Sequence, residues 1–228
     1  MRLLTFSLLL FLPVVTNAQD DRKVNCRFLS LDTNAPPPAL LALSGDGAEV
    51  AITMPAGALS GAIACSSKTA TFSFVSAADR TPVATATIPA AVKSALLVFV
   101  PAAKAPNTLP WRIFVVENSA KNFPDGGAFV ANFHSEDIRF VIGENKLMLH
   151  PGGFYGVPKP AQRDDFNMAP VAFQFQQGDT WRNANESMLR FLPDMHYLMF
   201  TFVDPASGRP RVVTFQDAKP PAPAAALE

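Results

Sequence analysis

Leu41-Ala42-Leu43-Ser44-Gly45-Asp46-Gly47 is an alternating segment that runs into a tight turn, and Phe140-Val141-Ile142-Gly143-Glu144-Asn145 does the same about 98 positions later. Further landmarks follow the first copy. Pro55-Ala56-Gly57-Ala58-Leu59-Ser60-Gly61 is echoed by Pro151-Gly152-Gly153-Phe154-Tyr155-Gly156, and Phe72-Ser73-Phe74 by Phe173-Gln174-Phe175. Ile88-Pro89 returns as Leu192-Pro193, and Val98-Phe99-Val100 as Thr201-Phe202-Val203. Last, the run from Trp111 to Val116 returns as Arg209 to Phe215. The landmarks keep one order at offsets between about 95 and 104, so the sequence reads as a duplication.

The duplicated units run from Val24 to Asn118 and from Ala128 to Asp217, joined by residues 119–127, whose Pro124 and Gly126-Gly127 are linker signals. Within each unit, short runs rich in Val, Ile and Phe alternate with Gly, Pro, Asn and Asp clusters, the pattern of strands and turns. Strands are expected near 25–31, 39–44, 48–53, 60–65, 70–76, 83–88 and 95–100, with 111–116 as a closing eighth. Ala184 to Leu192 has some helical spacing, but its partner in the first unit, Val83 to Ile88, favours a strand. The 21 prolines also oppose long helices, since proline lacks an N–H and clashes with the preceding turn. The expected fold class is all-β: two tandem immunoglobulin-like β-sandwich units of about seven strands each.

The order of features in each unit resembles tandem immunoglobulin-like repeat domains of unknown function in exported bacterial envelope proteins. The resemblance rests on the first strand ending in a Pro-rich loop (Arg27 to Pro38), the turn after Leu43, the Pro-x-Gly loop and the paired phenylalanines. It implies a sandwich fold and an address outside the cytoplasm, and assigns no chemistry.

The chain's own ends point the same way. Arg2, the apolar run Leu3 to Val15 and the small residues closing Thr16-Asn17-Ala18 form a secretory leader, residues 1–18, with cleavage expected after Ala18. The run is too short to span a bilayer, and no later segment reaches that length. Residues 218–228 read as a disordered Pro/Ala-rich tail, whose last five resemble the remnant of a cloning site. The 19 basic and 19 acidic groups balance, which argues against nucleic-acid binding, where excess Lys and Arg is needed. Cys26 and Cys65, even in number and exported, point to one disulfide, with two buried thiols as the alternative.

No catalytic, metal or cofactor motif is found. His134, His150 and His196 are far apart and form no H-x-H or H-x-x-x-H pair. No G-x-S-x-G is present, and Ser60 is replaced by Tyr155 in the sister unit. Asp46 and Glu49 lack an EF-hand spacing. The best ligand-binding candidates are Phe154, Tyr155, Trp181 and Arg182, in second-unit loops where the first unit carries Leu59, Ser60 and, roughly, Thr81. The leading expectation is an exported, non-enzymatic structural or protein-interaction module. A carbohydrate-binding module using Trp181 and Tyr155 is one alternative. A hydrolase using Asp164, Asp165 or Glu186 is the other.

Overall fold

A computed structural model describes residues 21–45, 47–102, 105–203 and 208–218. The expected leader, Asp46 and the tail beyond Ala218 lie outside them; Ala218 itself, expected in the tail, ends the last strand. The described residues are all-β: sixteen strands in four four-stranded sheets. The first eight are β1 (Arg22–Ser30), β2 (Leu40–Leu43), β3 (Glu49–Ile52), β4 (Ile63–Ser67), β5 (Thr71–Ser76), β6 (Pro82–Thr87), β7 (Ser94–Pro101) and β8 (Trp111–Glu117). The next eight are β9 (Ala128–Asn132), β10 (Ile138–Ile142), β11 (Asn145–Leu149), β12 (Phe154–Val157), β13 (Met168–Gln177), β14 (Thr180–Arg190), β15 (Met195–Val203) and β16 (Pro210–Ala218).

Strand order repeats. The first eight strands form sheets β4-β1-β7-β8 and β3-β2-β5-β6, and the next eight form β12-β9-β15-β16 and β11-β10-β13-β14, the same orders advanced by eight. Each set thus has eight strands rather than the expected seven, because the run at 111–117 is a full strand paired along β7. Residues 184–190 belong to strand β14. The turns behave as their glycines require: Gly47 (φ +86°) and Gly143 (φ +57°) take the left-handed conformation that closes the β2–β3 and β10–β11 connections.

The ladders shift more than one landmark: Phe74 corresponds to Phe173 and Ile88 to Phe191, and the clearest case is in β7. Leu97, Val98 and Phe99 pair with Phe28, Leu29 and Ser30, while Met199, Phe200 and Thr201 pair with Val130, Ala131 and Asn132. Val98-Phe99-Val100 therefore corresponds to Phe200-Thr201-Phe202, one residue before the match read from sequence. In a strand a one-residue slip exchanges the two faces, so the difference decides which side chains meet.

Three apolar clusters fill the molecule. One, with Phe28, Phe72, Phe74 and Phe99, lies between the first pair of sheets. A second, with Phe140, Phe173, Phe191 and Met199, lies between the second pair. A third joins Leu29, Leu96, Val98 and Val116 to Phe129, Ala131, Leu198, Phe200 and Phe215. Those residues alternate with the core residues of the same strands, so they project from the other faces of β1, β7 and β8 onto those of β9, β15 and β16. The result is four stacked layers, the two middle ones buried on both sides. Hence the runs at 95–99 and 197–201, apolar but for Thr201, are buried at every position.

The expected disulfide is absent: Cys26 and Cys65 are free thiols, both 0% exposed in the first core. Register is the reason. Cys26 lies opposite Ile63 and Cys65 opposite Val24, so the cysteines are diagonal neighbours. Diagonal pairs in an antiparallel ladder sit about 7–8 Å apart, past the reach of an unstrained bridge. The thiols share a hydrogen bond instead, which together with burial pushes Cys26 well above the usual thiol range. We expect a thiol-reactive reagent to label neither cysteine in the native protein and both after unfolding. Rapid labelling without denaturant would contradict this packing.

Candidate functional site

Where the two sandwiches meet, the chain builds a groove of about 690 Å³. One wall comes from the first sandwich, with Thr87, Pro89 and Val92 beside Val115 and Glu117 of β8. The floor is the connecting segment at Lys121 and Asn122, and the opposite wall is β12, through Phe154, Tyr155 and Gly156.

Local chemistry fixes each wall. The Arg22 guanidinium donates to the carbonyls of Ile88 (2.7 Å), Pro89 (2.6 Å) and Val92 (2.8 Å), tying the loop after β6 to the start of β1. Asn122 Nδ2 donates to the Glu117 carbonyl at 2.8 Å, and the Phe123 amide to Ser119 O at 2.8 Å, so the connection is a hydrogen-bonded turn. Strand β12 lies directly against that turn. A Cβ built on Gly156 would stand 2.3 Å from Lys121 O and 2.8 Å from Asn122 O, a clash with backbone that only glycine avoids.

Of the ligand candidates, Phe154 and Tyr155 line this groove together, 44% and 51% exposed. Phe154 also closes the joint between the units, edge-on to Phe114 (5.6 Å) and near Phe129 (5.7 Å). Trp181 and Arg182 are elsewhere. They lie on β14, the opposite edge of the outer sheet, and neighbours on a strand face opposite ways. Trp181 pairs with Gln176 and faces outward, whereas Arg182 pairs with Phe175, which packs against the core. Trp181 instead receives the guanidinium of Arg139, 3.9 Å above its ring. A single binding face shared by Trp181 and Tyr155 is not formed.

The acidic candidates are also separate. Asp164 caps its own loop, accepting from the amides of Phe166 (2.9 Å) and Met168 (2.8 Å). Glu186 is exposed on β14, opposite Ala172, four residues along from the Arg190 that faces Met168, or roughly 13 Å at strand spacing. Asp165 is exposed in the loop. Among the described residues no three His, Cys, Asp or Glu side chains gather as a metal site. His134 accepts from the Glu136 amide (3.0 Å), and His150 pairs with Asp137 (2.8 Å).

His196 belongs to an arrangement that sequence reasoning missed. Arg27 of β1 grips Asp217 of β16 with two parallel bonds, Nη1–Oδ2 at 2.6 Å and Nη2–Oδ1 at 2.7 Å. His196 Nε2 stands 3.1 Å from the same carboxylate, its ring against Phe123. Burial opposes ionisation of Asp217, but the bonds and charges of Arg27 and His196 outweigh it and hold its carboxyl well below the usual range. The trio bridges residues 190 apart, and no local pattern announces it.

No protein-family model matches this sequence, and no curated protein shows significant similarity to it.

Proposed function

We propose that the protein is an exported, non-enzymatic interaction module that receives an extended segment of a partner protein in the groove between its two sandwiches. One observation carries the reading: two half-exposed aromatic residues, Phe154 and Tyr155, line a groove whose walls come from both units and the connection. Its size suits a small peptide stretch. Its apolar wall of Pro89, Val92 and Val115 is rimmed by Glu117, Lys121 and Asn122, the mixture typical of protein-binding surfaces. The leader-like first eighteen residues support export.

The strand orders support an immunoglobulin-like assignment for each unit. The order β3-β2-β5-β6 matches C′-C-F-G, four strands of the five-stranded sheet of a variable-type domain, and β4-β1 matches the paired B and E strands of the other sheet. The departure is β7, which lies parallel to β1 where an immunoglobulin domain has its first strand, and brings β8 with it.

The test is a photo-crosslinking residue in place of Tyr155, installed in the organism that makes the protein. A discrete covalent adduct with one partner protein is the expected result, abolished by Val115→Asp on the facing wall. Absence of any adduct from position 155, with efficient crosslinking from an exposed site elsewhere, would overturn the groove reading. N-terminal sequencing of the exported protein should begin at Gln19.

A further inference from the structure

The outward face of sheet β11-β10-β13-β14 holds a second set of side chains that the groove does not use. Register lays them out in rows. One row runs Met148, Arg139, Gln174, Asn183 across the four strands, and the next runs Lys146, Val141, Ala172, Glu186. Trp181, opposite Gln176, stands one rung beyond the first row, two residues along β14 from Asn183.

Three features make this face more than a solvated surface. First, the Arg139 guanidinium lies over the Trp181 ring at 3.9 Å, so each holds the other in place. Second, Gln174 Nε2 donates to Asn183 Oδ1 at 2.8 Å, which leaves the Gln174 oxygen as an acceptor and the Asn183 amide as a donor, side by side. Third, the cations form no ion pairs, although Glu186 ends the row of Lys146 at the far edge of the sheet. Among the described residues neither Arg139 nor Lys146 forms an ion pair, and the nearest acid along β10, Asp137, is taken by His150 at 2.8 Å. A guanidinium stacked on an indole keeps its N–H edge free, and that edge fits a carboxylate in two parallel bonds.

From these we infer a binding site for an acidic polysaccharide, one whose pyranose rings carry carboxylates. The exposed parts of Trp181 meet a sugar's apolar C–H face, the Gln174–Asn183 pair meets neighbouring hydroxyls, and Arg139, with Lys146 further across, meets the carboxylate. The first sandwich has nothing equivalent: just past the bulge its matching sheet pairs Val75 with Pro82, where the second pairs Gln174 with Asn183. The site is independent of the groove at Tyr155.

The experiment is affinity electrophoresis of the full chain through gels containing polygalacturonate, alginate, a neutral glucan or poly-glutamate. Uronate polymers should retard the protein and the neutral glucan should not. Arg139→Met and Trp181→Ala should each weaken retardation by about tenfold, the loss of one charged hydrogen-bonding group or one stacking surface. Tyr155→Ala should leave it unchanged, so failure here is separable from failure of the groove. Because the substituted side chains face solvent, unfolding curves should overlay the parent protein and exclude misfolding. The inference falls if uronates do not retard the protein, or if neither variant weakens retardation. It also falls if poly-glutamate binds equally and depends on Arg139 but not on Trp181, which would make the face an acidic-peptide surface.

Discussion

Replacing Phe200 with alanine should cost about 3–5 kcal/mol and uncouple the two halves of the molecule. Phe200 is 0% exposed, yet it projects away from the core of its own unit. Its ring is stacked on Phe133 (5.6 Å) and lies near Phe129 (6.0 Å) and Phe215 (6.1 Å), second-unit residues in a layer shared with Leu29, Leu96 and Val98 of the first unit. The cavity left by its removal would therefore weaken contact between units more than either sandwich. The chain offers a convenient readout, with Trp111 in the first unit and Trp181 in the second as its 2 tryptophans. Single-tryptophan versions unfolded in urea should report one shared transition in the parent and two separated midpoints with Phe200→Ala. A shared, unshifted midpoint in the variant would show that the intermediate layer contributes little. Phe140→Ala is the control, since its ring is in the second unit's own core.

Breaking the Arg27–Asp217 pair should have the next largest effect. With side chains 25% and 11% exposed, this pair is partly withdrawn from water, and Asp217→Ala leaves the guanidinium without its two carboxylate acceptors. A loss of about 1–3 kcal/mol is expected, below the penalty for fully buried pairs because Arg27 keeps some solvent and still donates to Ser60 O at 3.1 Å. The pH dependence has a definite sign. The Asp217 carboxyl is depressed in the folded protein, so its contribution is complete above the unfolded value of about 3.9 and is lost as pH falls below it. Denaturant midpoints of parent and variant should therefore differ at neutral pH and converge in strong acid. A gap that stays constant to the lowest accessible pH would show that the ion pair is not its source. Replacing both partners, as Arg27→Met with Asp217→Leu, should restore much of the stability, because no charge is then left stranded.

The strands and their duplication were legible because alternation and turn residues act locally. Gly47 and Gly143 close turns whose flanking residues alternate, and both features lie within a few positions of each other. What escaped was whatever depends on which strand lies beside which. The run Leu96-Leu97-Val98-Phe99-Val100 is apolar on both faces, but nothing in it says that a sister unit covers the second one. The cysteines share a ladder, yet only its register makes them diagonal. For Trp181, the nearest basic residue in sequence is Arg182, but strand alternation sends it to the other face, and the sheet order brings Arg139 from 42 positions upstream. Alternation alone could have excluded Arg182; nothing local could have supplied Arg139. Phe154 shows a third case, where the sequence marked an exposed aromatic that partly serves the joint between units.

The position of β1 has a bearing on how the chain acquires its shape. It is an interior strand, between β4 and β7, and its parallel partner arrives late, with Asn25 meeting Ser94. A chain emerging from its amino end must hold that strand's second edge unpaired until nearly the whole unit has appeared, and the second unit repeats the delay. Such distant closures are slow, and they leave adhesive backbone uncovered meanwhile. Each half is thus kept from sealing early, a lag compatible with the export proposed above.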